Sequence, residues 1–310
     1  MDGAQSYHQD AILVSRLASL WSLFRKLRLA IVPSSSGTKD SPEMDEACHQ
    51  TTSFMDRERA LLRYQIGARW DMIHRLNALK TPSPELSCAL CGYTSDRVKF
   101  NERVAECIFE GGTIPRYQCP KCDVIFGSEL MLDLSPEALA REYEWHYQVF
   151  TEGDSTEHEI RAFRGLNPER GKTYINWGSG AWSSSTELLR AEGWQVFGYE
   201  PHSSANGGGE YVLTSRSELE QLRPAGIFSN NVLEHFRYPV EALREMAALL
   251  PRGALMSHAT PCFEYRFEFT RFHLFFFLGR SRAWIAEKAN LNVVDYRTDG
   301  DFMNLVLQTR

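Results

Sequence analysis

The sequence predicts an α/β fold with a mostly parallel sheet whose last strand is antiparallel, preceded by a small four-cysteine module. Three observations predict it. The segment 173–201 reads as strand, glycine turn, helix and strand; two Cys-x-x-Cys pairs precede it; and an Asp-Gly turn joins two apolar segments at the C-terminus. A chain of 310 residues can hold one large domain and a smaller one.

Composition limits the classes of function. A hydrophobic content of 43% is typical of a globular protein, and a net charge of −6 argues against a wide nucleic-acid-binding face. Seven cysteines with two Cys-x-x-Cys pairs do not resemble a secreted disulfide framework. We therefore predict a cytoplasmic protein with no nucleic-acid partner.

Residues 1–54 are predicted to be a helical extension and a disordered linker. Apolar residues recur every three or four positions over 11–32, but the longest uncharged run, Leu17–Phe24, is too short to span a bilayer. No basic segment precedes it, so a signal peptide is not predicted. The helix contacts a membrane surface peripherally, packs on the protein, or is a dispensable extension. Residues 33–53 are polar, rich in Pro and Ser, and predicted to be disordered.

Residues 55–86 contain a predicted helix, Met55–Leu79, with one apolar face and two prolines after it. Residues 87–134 are predicted to form a zinc ribbon. Each Cys-x-x-Cys pair can place two thiolates on one turn, and two such turns complete a tetrahedral site. The ligands would be Cys88, Cys91, Cys119 and Cys122. Four thiolates leave no open coordination position, so this Zn²⁺ would be structural. The alternative is two redox-active or merely buried pairs.

Within the ribbon, strands are predicted at Arg97–Phe100, Glu106–Phe109 and Arg116–Gln118. Residues 135–154 are predicted to be a connecting helix that Ser135 caps, leading into the aromatic cluster Tyr143–Tyr147. This cluster could be a lid over a bound ligand, with Tyr147 touching substrate, or it could be interdomain core.

Residues 155–310 are predicted to be the main domain. Its central unit has a strand at Tyr174–Trp177, a turn at Gly178–Gly180, a helix, and a second strand that ends at Glu200. Such a unit directs helix-start N–H groups and glycine backbone at a ligand, and the acid can hydrogen-bond a ribose. The third glycine of the dinucleotide fingerprint is missing, which makes a pyrophosphate ligand less expected.

The α/β alternation continues to the C-terminus. Further strands are predicted at Gly209–Leu213, Gly226–Val232, Ala254–Ala259, Leu291–Arg297 and Phe302–Gln308, and helices at Pro239–Leu250 and Ser281–Ala289. The turn at Asp299-Gly300 makes the last two strands antiparallel neighbours, whereas a nicotinamide-binding sheet ends with a parallel strand.

The motifs INWGSGAW, FGYEP, SNNVLEHFRYP and LLPRGAL, spread over residues 155–310, resemble those of class I S-adenosylmethionine-dependent methyltransferases. With the four-cysteine ribbon in front, the chain is similar to zinc-containing sugar methyltransferases of polysaccharide and deoxysugar pathways. The resemblance implies a Rossmann-like methyltransferase sheet that binds S-adenosylmethionine.

The resemblance also implies roles for single residues. Gly178 and Gly180 would let the backbone meet the methionine part of the cofactor, and Glu200 would accept hydrogen bonds from the ribose. Asn230 or Asn231 would line the floor below the methyl group. Two positions depart from the family: Asn176 stands where an acid is usual, although it can still hydrogen-bond the amino-acid end, and Trp182 stands where glycine is frequent.

His235, with Glu234 beside it, is the candidate general base, because it follows the fourth strand of the domain at the carboxyl edge of the sheet. A structural or cofactor-shaping role is the alternative. In the aromatic segment 263–277, Arg266, Arg271 and His273 could bind a sugar or a diphosphate. The alternatives for this segment are internal packing and a homodimer interface.

Three functions fit these patterns. The first is methylation of a hydroxyl or carbon of a sugar nucleotide or glycan in surface polysaccharide synthesis. The second is a binding or scaffold protein that has lost turnover, which Asn176 and Trp182 favour. The third is O-methylation of a small lipid or quinone-like acceptor, which the amphipathic segment 11–32 favours.

Overall fold

A computed structural model describes residues 42–150, 153–180, 183–201 and 209–310. The first element is a long helix, α1 (Pro42–Ala78). The prediction of a disordered linker is therefore wrong for residues 42–53. Proline is tolerated at the first helical position, so a segment that contains prolines can still begin a helix. The segment 11–32 and the rest of 1–41 lie outside the described residues.

Two sheets follow α1 in the ribbon region. The hairpin β1 (Glu85–Ser87) and β2 (Thr94–Asp96) carries the first cysteine pair, and a 3₁₀ turn, Arg97–Lys99, leads out of it. An antiparallel meander then follows, formed by β3 (Asn101–Glu106), β4 (Thr113–Gln118) and β5 (Ile125–Gly127).

Of the ribbon strands predicted, Arg116–Gln118 is confirmed as part of β4. The strand at Arg97–Phe100 is wrong because residues 97–99 form the 3₁₀ turn, and Glu106–Phe109 is wrong because β3 ends at Glu106. Shortly after β3, Glu110 has a φ of 66° and two glycines follow it with positive φ, so the chain reverses there.

Three helices connect the ribbon to the main sheet: α2 (Glu129–Leu132), α3 (Pro136–Val149) and α4 (Thr156–Gly165). The predicted cap of α3 is confirmed, since the Ser135 Oγ accepts a hydrogen bond from the Ala138 N–H at 3.3 Å. Helix α4 packs on the main sheet and buries Ala162 and Phe163 there.

The main sheet has seven strands. They are β6 (Thr173–Trp177), β7 (Gln195–Tyr199), β8 (Val212–Leu213), β9 (Gly226–Asn230), β10 (Leu255–Ala259), β12 (Leu291–Asp299) and β13 (Phe302–Thr309). Their order is β12-β13-β10-β9-β6-β7-β8. Strand β13 is antiparallel to both neighbours and the other pairs are parallel, which confirms the predicted mostly parallel sheet with an antiparallel last strand.

Four helices complete this domain: α5 (Ser184–Ala191), α6 (Arg216–Leu222), α7 (Pro239–Ala247) and α8 (Ser281–Lys288). Helix α5 packs on β7 and α8 packs on β12. The central strands β6, β9 and β10 are buried along most of their length, as a parallel sheet covered by helices requires. The sequence predicts all of these helices except α6.

The ribbon is joined to the main domain by a strand that comes much later in the sequence. Strand β11 (Phe275–Phe276), from the aromatic segment of the main domain, pairs antiparallel with β5 of the ribbon. Next to it, the fully buried guanidinium of Arg116 donates hydrogen bonds to three backbone carbonyls of the segment 268–273. The ribbon and the main domain therefore share one continuous core.

Candidate active site

The glycine turn after β6 lies at the carboxyl edge of the main sheet. Gly178 has a φ of 72° and Gly180 a φ of 70°, in the left-handed region that side chains disfavour. A Cβ at position 178 would also come within 2.7 Å of the Val232 Cγ2. Glycine is therefore required at 178 by both conformation and space.

Glu200 follows β7 and lies beside this turn. Its carboxylate is buried, and its Oε2 accepts a hydrogen bond from the Gly180 N–H at 3.1 Å. Its own N–H donates to the Leu213 carbonyl at 2.8 Å, which holds the acid at the end of the strand. The structure thus brings together the glycine turn and the acid that the sequence paired.

Asn176 and Asn230 lie at the carboxyl ends of the two strands on either side of the switch between β6 and β9. The buried Asn176 Nδ2 donates a hydrogen bond to the Glu159 Oε2 at 2.7 Å. The buried Asn230 Nδ2 has no hydrogen-bond partner among the described residues. Asn231 is exposed and has a φ of 55°. Trp182 lies outside the described residues.

Glu234 and His235 lie on a 3₁₀ turn, Leu233–His235, just beyond β9. The buried Glu234 Oε1 accepts a hydrogen bond from the Thr260 Oγ1 at 2.6 Å. The His235 Nδ1 lies 3.1 Å from the Phe272 carbonyl, which can only accept, so Nδ1 carries the proton and Nε2 keeps its lone pair. Burial lowers the pKa of His235 to about 4, so the ring is neutral at pH 7.

His273 lies next to this pair. The ring centroids of His235 and His273 are 5.0 Å apart, and the His273 Nδ1 lies 3.0 Å from the Phe267 carbonyl. Burial lowers the pKa of His273 well below its usual value. Side-chain ligand atoms of Glu234, His235 and His273 all lie within 4.8 Å of one another. The cluster therefore combines one carboxyl group with two neutral imidazoles.

The two arginines of the aromatic segment lie elsewhere. Arg271 is buried against the ribbon: its guanidinium stacks 3.8 Å from the Trp70 ring centroid and donates to the Glu110 carbonyl at 2.8 Å. Arg266 is partly exposed and forms ion pairs with Glu264 and Asp301. The structure therefore brings His273, but neither arginine, to His235.

The aromatic cluster of α3 lies between the ribbon and the main domain. The fully buried His146 ring packs edge-to-face on Phe109 and Phe272, and Tyr143 packs between Phe272 and His235. Burial lowers the pKa of His146 to about 3. The side chain of Tyr147 lies outside the described part of the structure. His146 is interdomain core, whereas Tyr143 reaches the candidate base.

The four predicted ligand cysteines converge. Their Sγ atoms all lie within 4.8 Å of one another, with 3.7 Å for both Cys88–Cys122 and Cys91–Cys119. Tetrahedral Zn–S bonds of about 2.3 Å give S–S edges of about 3.8 Å, so the donor set fits a zinc ion. The two turns are alike: Gly92 and Asp123 occupy matching positions with φ of 69° and 68°. In each turn this N–H donates to the carbonyl of the first cysteine.

Sequence reasoning missed one acid at the site, Glu159 of α4. Its carboxylate accepts hydrogen bonds from Asn176 near the end of β6 and from Ser183 and Ser185 at the start of α5. The local sequence indicates only a helix start there. Nothing in it connects Glu159 with a residue 17 positions later on a different element, so only the fold could show the contact.

Residues 155–296 match the protein family described as "Methyltransferase domain". This match, over somewhat less than half of the chain, confirms the predicted enzyme class, a methyltransferase. No curated protein matches the chain. Among the described residues, no helix has the length and apolar character needed to cross a membrane.

Solved structures show weak similarity to about half of the chain. A methyltransferase from Mesorhizobium loti is 13% identical, with 49% of this chain and 97% of that chain covered and a TM-score of 0.35. The mitomycin 7-O-methyltransferase is 14% identical, with 59% of this chain and 60% of that chain covered and a TM-score of 0.39. An O-methyltransferase family protein from Burkholderia thailandensis is 16% identical, with 50% of this chain and 57% of that chain covered and a TM-score of 0.34. We draw no inference from similarities this low.

Proposed function

We propose that this methyltransferase domain uses S-adenosylmethionine to methylate a hydroxyl or an acidic carbon of a sugar nucleotide or glycan. The observation that carries the cofactor assignment is the contact of the Gly178–Gly180 turn with Glu200 at the carboxyl edge of the sheet. Ligands of open α/β sheets bind at this edge, where the strand order reverses. Here it reverses between β6 and β9, since β7 and β8 lie on one side of β6 and β10 on the other.

The residues present fit this cofactor. Gly178 and Gly180 carry no side chains, so the backbone of the turn can contact the methionine part directly. The Glu200 carboxylate accepts hydrogen bonds from the ribose, and the buried Asn230 Nδ2 offers a donor that no described residue uses. When bound, S-adenosylmethionine supplies a methyl group on a good leaving group. The chain itself then has to align the acceptor, exclude water and remove a proton.

His235 is the proposed base. Its Nδ1–H is held by the Phe272 carbonyl, which leaves the Nε2 lone pair available to take a proton from the acceptor. Glu234, fixed by Thr260, lies within 4.8 Å of His273 and His235 and would stabilise the imidazolium that forms. The pKa of about 4 implies that the base stays neutral down to acidic pH. Turnover through His235 should therefore fall only as the pH approaches about 4.

Calorimetry with purified protein tests the cofactor assignment. Titration with S-adenosylmethionine and S-adenosylhomocysteine should give binding heat, and Glu200→Ala should weaken both affinities by at least tenfold. Glu187→Ala, an exposed acid on α5, is the matched control and should leave both unchanged. No binding of either ligand to folded wild-type protein would refute the proposal.

Release of S-adenosylhomocysteine over a panel of acceptors tests the acceptor class. Sugar nucleotides and lipid-linked glycans form one arm, and phenolic lipids and quinols form the other. His235→Ala should lower turnover by roughly 10²- to 10⁴-fold with unchanged cofactor affinity, as loss of a general base does. Full turnover of this variant would remove His235 from the mechanism, and turnover only in the second arm would replace the carbohydrate proposal.

We also propose a structural Zn²⁺ held by the four cysteines of the ribbon. Metal analysis should find one zinc per chain, and Cys119→Ser should lose it and destabilise the ribbon. Cys262→Ser, at a cysteine that lies beside His273, should keep the metal. Full zinc occupancy in Cys119→Ser would contradict the assignment.

The rival proposal is a binding protein that has kept the fold but lost turnover. Asn176 favours it, because an amide lacks the charge that would attract an ammonium group. A wild-type protein that binds S-adenosylmethionine but methylates no acceptor of either arm would support this rival.

A further inference from the structure

The side-chain amide of Asn176 is neutral, but it is hydrogen-bonded to the carboxylate of Glu159. Glu159 extends from the first turn of α4, and its Oε2 lies 2.7 Å from the Asn176 Nδ2. The same oxygen accepts from the Ser185 Oγ at 2.5 Å and from the Ser183 Oγ at 3.4 Å. The acid therefore lies at the carboxyl end of β6, where the chain enters the glycine turn and α5 begins.

Glu159 and Glu200 contact different parts of the segment that contains β6 and the glycine turn. The two strands that lead to Asn176 and Glu200 are adjacent, with Trp177 opposite Tyr199 in register. Glu200 contacts the turn at Gly180, whereas Glu159 contacts Asn176 on the strand that precedes the turn. A nucleoside whose ribose is bound by Glu200 would extend its methionine tail past Gly178 towards Asn176. That tail carries an ammonium group, which needs an anionic partner when it leaves water.

The hydrogen bonds of Glu159 leave room for this ammonium group. An ionised carboxylate offers about four lone-pair sites on two oxygens. Among the described residues, Oε1 receives one donor, the Ser155 Oγ at 2.7 Å, while the donors from Asn176, Ser183 and Ser185 all go to Oε2. The side chain is held in place by these contacts but is only half-buried, so a ligand can reach it.

We propose that Glu159 binds the α-ammonium group of S-adenosylmethionine and so supplies from α4 the charge that Asn176 lacks. This inference rests on the proposed function. Asn176, Ser183 and Ser185 are then positioning residues, which fix the carboxylate by hydrogen bonds. The same contacts also explain how an amide at 176 is compatible with cofactor binding.

A purely structural role for Glu159 makes a different prediction, because its loss would weaken the binding of every ligand of this site alike. The probes are S-adenosylmethionine, S-adenosylhomocysteine and 5′-methylthioadenosine, which keeps the nucleoside and the sulfur but has no amino-acid tail. Calorimetry should show that Glu159→Gln weakens the first two by about 10- to 100-fold, as loss of a charge-assisted hydrogen bond does. Binding of 5′-methylthioadenosine should stay close to its wild-type affinity.

A second experiment restores a negative charge at position 176 of β6. The double variant Glu159→Gln with Asn176→Asp moves the carboxylate by one hydrogen-bond length and should recover most of the lost affinity for S-adenosylmethionine. Glu157→Gln, an exposed acid on the same helix, is the matched control and should have no effect. Thermal unfolding of each variant checks that the fold is retained.

The outcomes separate the two proposals. If wild-type protein binds none of the three probes, the proposed function fails. If it binds them, and Glu159→Gln either weakens all three equally or weakens none, the assignment of Glu159 is overturned while the cofactor assignment stands.

Discussion

Replacing Arg116 by methionine should destabilise the protein strongly. The Arg116 side chain is fully buried, and it donates to the carbonyls of Thr270 at 2.6 Å, Glu268 at 2.7 Å and His273 at 3.2 Å. Two effects oppose each other. Burial of the Arg116 guanidinium carries a desolvation cost, which lowers its pKa. Replacing it by methionine removes this cost. Methionine, however, leaves the carbonyls of Glu268 and His273 without this donor, while the Thr270 carbonyl keeps only the His273 N–H at 3.4 Å. Each carbonyl that stays buried without a donor costs about 1–3 kcal/mol.

The carbonyls should dominate this balance, because methionine brings no new donor and water has little access. We therefore expect Arg116→Met to lower the free energy of unfolding by about 2–4 kcal/mol after the relief of desolvation is subtracted. Urea titration followed by fluorescence measures it. Arg75→Met, at an exposed ion pair on α1, should change it by less than about 0.5 kcal/mol. A loss below about 1 kcal/mol in Arg116→Met would refute the reasoning.

Two further predictions concern the site and the buried histidines. Gly178→Ala should abolish tight cofactor binding and lower the free energy of unfolding by about 1–3 kcal/mol, because position 178 has a left-handed backbone. Adding Val232→Ala removes the 2.7 Å contact and should recover only part of the lost stability. Complete recovery would contradict the strain argument. Burial lowers the folded-state pKa of His146 and His258 to about 3, so the unfolded state binds more protons below about pH 6.5. The free energy of unfolding should then fall by about 1.4 kcal/mol per histidine for each pH unit below about 6.5. Urea titrations at about pH 7, 6 and 5 with equal midpoints would show that these rings are not buried as described.

The features that the sequence predicted correctly have local causes. The strands of the main sheet are short apolar runs beside glycine turns, and helices such as α3 begin at a serine whose side chain caps them. The reversed last strand follows from the tight Asp299-Gly300 turn. The convergence of the four cysteines follows from two equal turns, each of which places its own pair.

The features that were missed depend on contacts between distant residues. Strand β11 is only two residues long and exists because β5, far earlier in the chain, offers it an edge. Arg271 looks like an anion-binding side chain in the sequence, but the fold buries it on Trp70. The sequence around Glu159 does not indicate a ligand role, because that role depends on a hydrogen bond with Asn176 on another element. Pairings of this kind carry no periodicity that a single sequence can display.

The strand that the larger domain contributes to the ribbon has a consequence for how the chain can be divided. Separating the chain anywhere within residues 128–155 would leave β5 with an unsatisfied edge and would expose Phe275 and Phe276, both fully buried. The cysteine module is therefore not a detachable appendage. It supports the segment whose Leu274 N–H donates to the Glu234 carbonyl, so any exchange of this module between related enzymes has to bring its partner strand along.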